Sequence, residues 1–102
     1  MKNDRLLSAM SMARGAGKLR IGFEASKEAV SNGAAAVILA SDVSERTARE
    51  VEGFCDGRCE LYRPDITQDD ICSKFGWRFG VAAITDYNFA ELIKKAIQGR
   101  IK

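Results

Sequence analysis

The sequence contains no histidine and only one proline among its 102 residues. Without imidazole, Ser–His and Cys–His nucleophile pairs are excluded, as is the side chain that most often acts as a general base. No apolar run approaches the roughly 20 residues that a membrane-spanning helix needs. The first residues also lack the apolar segment of a signal peptide. We therefore expect a cytoplasmic protein that does not bind membranes.

Cysteine is scarce, and its number is odd, which argues against a disulfide framework. Cys55 and Cys59 are close in sequence and Cys72 is distant. In the absence of histidine, a zinc site would need a further ligand from a carboxylate or a partner. Free cysteine usually behaves as a small buried hydrophobic residue, so we favour structural thiols over a metal site and expect no cofactor.

The remaining composition is that of an ordinary globular protein, with 46% hydrophobic and 29% charged residues. The length predicts one domain over residues 1–102. The net charge of +2 divides into +3 over residues 1–33, −5 over 34–73 and +4 over 74–102. If the two ends meet, the fold has a basic side that suits an anionic partner. The alternative is a solvated surface with unevenly distributed charge.

Hydrophobic spacing predicts helices and strands in alternation. The apolar run Ala34–Ala40 is typical of a central strand covered on both faces. Ser44, Thr67 and Asp86 are candidate helix N-caps. Helices are predicted near residues 6–13, 22–32, 45–54, 67–75 and 86–97, and strands at 19–21, 34–40, 59–62 and 79–84. This pattern predicts an α/β fold, a three-layer α/β/α sandwich with a four-stranded mixed sheet.

Residues 14–22 combine three glycines with three cations, as nucleotide-binding loops often do. A P-loop requires a further glycine where Met12 stands and Ser or Thr where Leu19 stands. A dinucleotide fingerprint requires a preceding strand and a glycine in place of Arg20. Both are excluded. We interpret the segment as a hinge that puts Lys18 and Arg20 beside an exposed helix start at Gly22.

Carboxylates give little indication of catalysis. Asp42 follows the central strand, where α/β proteins often place reactive groups, but a turn-forming role beside Ser44 is favoured. Asp69 and Asp70 lie near a helix start, where negative charge suits the helix dipole. We therefore expect no catalytic residues and no enzymatic activity.

Basic and aromatic residues favour nucleic-acid binding instead. Cations surround the glycine hinge, and the exposed N–H groups of the following helix can bind phosphate. Near the other end, Trp77, Arg78 and Phe79 lie between Gly76 and Gly80. RNA-binding proteins use such loops to stack bases and contact the backbone. The alternative for Trp77 and Phe79 is that both are core residues at a strand entrance.

Spaced blocks of sequence point to a family. The blocks are Leu7 with Ala13–Leu19, Gly22, Ala29–Ala34, Val37–Ser44, and Val81–Asp86 followed by Phe89–Ala90. In this order and spacing they resemble the small ribosomal-protein family of the L-seven-Ae and L-thirty-e type, above all its bacterial YlxQ-like branch. The resemblance covers nearly the whole chain and is weakest over residues 55–78. It implies the same sandwich, a monomer, and a surface that binds structured RNA such as a kink-turn.

The base-reading motif of that family is Asn-Glu-x-x-Lys at the start of the second helix. With Gly22 and Gly33 as anchors, its three positions are Glu24, Ala25 and Glu28. Glu24 can accept hydrogen bonds from guanine, whereas Ala25 cannot, and Glu28 has the wrong charge for phosphate. General RNA binding is therefore better supported than kink-turn recognition.

The sequence thus predicts a ribosome-associated RNA-binding protein. The predicted contact residues are Arg14, Lys18 and Arg20 at phosphates; Gly22, Phe23, Glu24 and Lys27 at the helix start; and Arg78, Phe79, Gly80 and Val81 as the far wall. The alternative is a protein-interaction module that keeps the fold but has lost specific kink-turn binding.

Overall fold

The computed structural model describes residues 3–98, and within them helices and strands alternate in the predicted order. The elements are α1 (Asp4–Gly15), β1 (Leu19–Ile21), α2 (Phe23–Ser31), β2 (Ala36–Leu39), α3 (Glu45–Cys55), β3 (Glu60–Tyr62), α4 (Gln68–Phe75), β4 (Val81–Ile84) and α5 (Tyr87–Gln98). In this part of the chain no helix is both long and apolar enough to cross a membrane.

The four strands form one mixed sheet in the order β1-β4-β2-β3. Strand β4 runs antiparallel to both of its neighbours, whereas β2 and β3 are parallel. The predicted mixed sheet is thereby confirmed, and its order is new information, because hydrophobic periodicity does not encode which strands are neighbours. As a result, the C-terminal ends of β1, β2 and β3 all lie at the end of the sheet where β4 begins.

Helices cover both faces of the sheet. On one face, α1, α4 and α5 pack around a cluster that includes Met10, Ile38 and Ile93. On the other, α2 and α3 pack around a cluster that includes Leu39 and Val51. Successive side chains of a strand point to opposite faces, and Ile38 and Leu39 are both buried. The predicted three-layer sandwich is confirmed, and it explains the uninterrupted apolar run at β2.

Side-chain caps begin three helices as the sequence predicts. The Ser44 side chain accepts a hydrogen bond from the Thr47 N–H at 3.1 Å. Thr67 and Asp70 form a reciprocal capping box at the start of α4. Asp86 accepts from the Asn88 N–H at 2.6 Å before α5. The caps of α3 and α4 fix where these two helices start, at the end of the sheet where β4 begins.

Three strands are shorter than predicted: β3 by one residue, and β2 and β4 by more. Strand β2 begins at Ala36 because the Ala34 N–H bonds back to the Ala29 carbonyl at 2.9 Å and so completes the turn after α2. Strand β4 begins at Val81, and Phe79 lies in the preceding loop, packed edge-on against Phe75 at 5.2 Å between ring centroids. The loop before β4 is therefore anchored to the core by an aromatic contact.

The three cysteines are free thiols. Burial and, to a smaller extent, the neighbouring Cys59 raise the pKa of Cys55 to about 12. Burial also raises the pKa of Cys59. A raised pKa keeps a thiol protonated and weakly nucleophilic at neutral pH. Cys55 and Cys59 therefore have the properties of structural thiols. Within residues 3–98, no three His, Cys, Asp or Glu side chains are placed so that they could hold one metal ion.

The two basic ends of the chain meet in the fold. Helix α1 packs against α5, and strand β1 pairs with β4. Strand β3, from the acidic middle of the chain, lies at the opposite edge of the sheet from β1. Helix α4, which starts within the acidic middle, packs against α1, so the fold joins the two basic ends without separating them from the whole acidic segment.

Candidate nucleic-acid interface

Loops from three strands converge where β4 begins. The Gly22 N–H, just after β1, donates to the Val81 carbonyl at 2.9 Å. The Ala40 N–H, just after β2, donates to the Gly80 carbonyl at 2.8 Å. These bonds hold the start of α2 beside the start of β4. Gly22 and Val81, which are far apart in sequence, become neighbours as predicted for two walls of one site.

The start of α2 is a half-buried helix terminus with open space beside Gly22. Gly22 has φ 107° and ψ 163°, a conformation that essentially only glycine adopts. No side chain within residues 3–98 caps this helix. The first N–H groups of a helix have no intrahelical partner, and a Cβ placed on Gly22 would meet no atom within 4 Å. The terminus therefore has both the polarity and the free space to receive a phosphate.

The side chains at this helix start differ in exposure. Phe23 is half-buried, and its ring packs edge-on against Phe54 at 5.6 Å between centroids. Glu24 and Lys27 are exposed. Within the described chain, no ion pair engages either charge. Phe23 therefore anchors the helix start to α3, while Glu24 and Lys27 remain available to a ligand.

A groove of about 290 Å³ runs along the outer edge of β1, between that strand and α2. Its charged side chains are Arg20 from β1 and Glu28 from α2, and neither forms an ion pair within residues 3–98. The full lining is Gly17, Arg20, Ala25, Glu28, Ala29, Asn32, Gly33, Ala34 and Thr85. The groove therefore offers a guanidinium, a carboxylate, an amide and a hydroxyl to one ligand.

The backbone of Lys18 lies at one end of β1, and Gly22 lies at the other. The prediction that the hinge puts Lys18 beside the helix start is therefore wrong for the Lys18 backbone. The Lys18 carbonyl accepts from the Thr85 N–H at 3.0 Å, at the end of β4. From Lys18 to Gly22 the extended chain advances by four residue-to-residue steps, which together span about 13 Å. Lys18 instead follows Gly17 at the far end of the groove.

The loop before β4 divides its two aromatic residues between surface and core. Phe79 is 8% exposed and belongs to the core cluster. Trp77 is 41% exposed, and the Arg14 guanidinium lies over its ring at 4.6 Å from the centroid. A cation over an indole face is an attractive cation–π contact. The core alternative therefore holds for Phe79, whereas Trp77 and Arg14 form a stacked pair at the surface.

Arg78 and Val81 are less available than the sequence predicts. Arg78 forms an ion pair with Asp69, and both side chains are largely exposed. Exposed ion pairs contribute about 0–1 kcal/mol, so an anionic ligand can displace this one at low cost. Val81 is buried in the core, and its carbonyl is used by Gly22. The buried Val81 side chain is therefore not available for direct contact with a ligand.

Gly80 is required by close packing. A Cβ built at this position would lie 2.5 Å from Cγ1 of Val43, a stiff β-branched side chain. Gln68 lies next to the same point, and its N–H donates to the Asp42 carboxylate at 3.0 Å. The loop after β2, the start of α4 and the start of β4 thus pack together. Asp42 has a structural role here, as the sequence favoured.

Replacing Gly80 with Ala is expected to destabilise the fold by about 1–3 kcal/mol, because overpacking forces Val43 or the backbone to move. Urea unfolding of the two proteins measures the difference. The double variant Gly80→Ala with Val43→Ala recovers the space, so its loss should be smaller than the sum of the two single losses. Strictly additive losses would contradict the contact.

Seven of the eleven predicted contact residues lie together, whereas Arg14, Lys18, Arg78 and Phe79 lie elsewhere or are engaged in other contacts. Gly22, Phe23, Glu24 and Lys27 lie at the helix start, Arg20 lines the adjoining groove, and Gly80 and Val81 lie beside them. Arg14 instead stacks on Trp77. The groove residues Glu28, Asn32 and Thr85 were not predicted as contacts. The spacing of Ala25, Glu28, Ala29 and Asn32, which share one helix face, is the signal for four of the lining positions.

Two solved structures are similar to this chain. A protein of unknown function from Bacillus halodurans is 23% identical with a TM-score of 0.83, over 92% of this chain and 97% of that one. The 15.5kD RNA binding protein of Giardia lamblia is 14% identical with a TM-score of 0.73, over 93% of this chain and 83% of that one. At these identities the likeness shows a shared fold. No protein-family model matches the sequence, and no curated protein matches it.

Proposed function

We propose that this protein binds structured RNA through the start of α2, the groove beside β1 and the loop before β4. The observation that carries the proposal is the α2 terminus at Gly22 beside two exposed cations, Arg20 and Lys27. Within the described chain, the terminus has no side-chain cap and the cations have no ion-pair partner. Helix N–H groups and unpaired cations are the groups that contact phosphate in RNA complexes. The shared fold with an RNA-binding protein from Giardia favours the same partner class.

The role of the groove follows from its donors and acceptors. The Arg20 guanidinium is a fork of N–H donors that matches the acceptor edge of guanine. The Glu28 carboxylate accepts hydrogen bonds and suits the N–H groups of a base. Because Arg20 and Glu28 lie in one groove without pairing, one base can use both. Glu28 carries the wrong charge for a phosphate, and in this proposal its carboxylate instead accepts hydrogen bonds from a base.

The finer assignment follows the family resemblance. We propose a cytoplasmic, bacterial member of the L-seven-Ae and L-thirty-e type, of the YlxQ-like branch, that acts as a non-enzymatic monomer bound to ribosomal RNA. The departures at Glu24, Ala25 and Glu28 favour general structured RNA over the kink-turn. They also favour the alternative function, a protein-interaction module that keeps the fold but has lost specific kink-turn binding, whereas the basic ends of the chain disfavour it.

A titration with a kink-turn RNA and a plain duplex of equal length separates these functions. Each RNA is titrated at about 50 mM and at about 200 mM salt, where phosphate contacts differ strongly in strength. We expect both RNAs to bind, with an affinity that falls steeply with salt. A preference for the kink-turn would show that Glu24 and the groove suffice for specific recognition. Failure of both RNAs to bind at the lower salt would contradict RNA binding and leave the interaction module.

A further inference from the structure

A second groove lies on the outer face of the α1–α5 pair, with a volume of about 390 Å³. Its floor consists of the small residues Ser8 and Ala9 from α1 and Ala96 from α5. Met12 and Leu92 form its walls, and they are 58% and 40% exposed. Small residues between two large apolar side chains make a depression into which an apolar side chain of a partner can insert.

The groove lies beside the core contact between the two helices and shares the small residues Ala9 and Ala96 with it. The residues that join α1 to the core are Leu6, Leu7, Ala9, Met10 and Ala13, and those of α5 include Ala90 and Ile93. Met12 and Leu92 lie on the outer helix faces, where the packing of this chain does not require a large apolar residue. Exposed apolar side chains that face a common depression are typical of an interaction site. Methionine is frequent in such sites because its flexible side chain adapts to a partner.

The charges around the groove define the partner. Arg5 and Lys95 lie on its rim, and neither forms an ion pair within residues 3–98. Asp4, also on the rim, has an interaction of its own. The groove also lies on the helix pair that joins the two basic ends of the chain. A partner with apolar anchors and acidic flanks complements this surface.

We propose that the α1–α5 groove docks an amphipathic helix of another protein, whose apolar face contacts Met12 and Leu92 and whose acidic residues face Arg5 and Lys95. A helix laid in a groove between two helices presents anchors at i, i+3, i+4 and i+7 to such a surface. A second copy of this chain fits less well, because a two-fold contact through this face would bring Arg5 and Lys95 close to their own equivalents. This site goes beyond RNA binding and does not rest on it.

Two synthetic peptides test the proposal on the full chain. Both are amphipathic helices of about five turns with the same leucine face. One has glutamate at every flanking position, and the other has lysine there. NMR titration follows the Met12 and Leu92 methyl groups. We expect the acidic peptide to shift these methyl signals and to bind about tenfold more tightly than the basic one.

A double charge reversal sharpens the test. In the variant Arg5→Glu with Lys95→Glu, the preference should change to the basic peptide. The matched control Arg58→Glu changes an exposed cation after α3, on the other face of the sheet, and should keep the acidic preference. Circular dichroism checks that each variant is folded. Equal binding of the two peptides, unchanged preference in the double variant, or methyl shifts absent from Met12 and Leu92 would overturn the proposal.

Two further measurements identify another occupant. Self-association of the unmodified chain in sedimentation equilibrium that Met12→Ser abolishes would assign the groove to a second copy. Binding to phosphatidylglycerol vesicles that the same variant abolishes would assign it to a lipid surface. Either result would replace the helix of a partner protein as the occupant.

Discussion

Replacing either Ile38 or Leu39 with Ala is expected to destabilise the protein by about 2–5 kcal/mol, because each change leaves a cavity in a fully packed core. The two residues are adjacent in β2 but point to opposite faces, and both are at most 1% exposed. In a sheet with one solvated face, only one of two adjacent residues would have such an effect. Chemical unfolding of the two variants measures both losses.

Met12 provides the matched control for these core variants. It is another large aliphatic side chain, but it lies on the outer face of α1 and is mostly exposed. Met12→Ala should change the free energy of unfolding by less than about 0.5 kcal/mol. A small loss at either Ile38 or Leu39, comparable to that at Met12, would contradict the three-layer packing.

Neutralising Arg20 and Lys27 together, as Arg20→Gln with Lys27→Gln, is expected to weaken RNA binding strongly at low salt. A hydrogen bond to a charged group contributes about 1.5–3 kcal/mol, so each lost contact should lower the affinity about tenfold or more. Each phosphate contact also adds nearly one unit to the slope of log affinity against log salt. Loss of Lys27 at a phosphate should therefore lower the salt slope by about one unit, and loss of Arg20, which contacts a base, should lower the affinity at both salt concentrations.

The control for this experiment is Arg58→Gln. Arg58 is as exposed as the two site residues, but it follows α3, on the side of the sheet next to β3. Its loss should leave both the affinity and the salt slope unchanged. Equal effects from Arg58→Gln and from the double variant would mean that RNA contacts the protein through its overall charge. That result would remove α2 as the binding surface.

Local sequence patterns predict most of the fold correctly. The glycine hinge ends α1, Ser44 caps α3, and the Thr67 capping box starts α4, because each depends on contacts within a few residues. The apolar run at β2 likewise indicates burial on both faces. These features need no knowledge of distant parts of the chain.

The site was predicted less completely because it is made of distant segments. The groove joins α2 to Thr85, and the stacked pair joins Arg14 to Trp77. Spacing along the chain contains no information about such contacts. The prediction for Lys18 was wrong for the same reason. Lys18 is next to Thr85 in the fold, and this contact depends on the pairing of β1 with β4.

The pairing of β1 with β4 also determines when the site forms during synthesis. Leu19 is paired with Ile84, so within residues 3–98 strand β1 has a single neighbour in the sheet, and that neighbour comes late in the chain. Contacts between distant residues form late, since the loop between them must first close. A ribosome that has released only the first 80 residues exposes β1 without its partner strand. The start of α2 and the loop before β4 therefore come together only after β4 emerges, and a chain that stops earlier lacks both β4 and the binding surface.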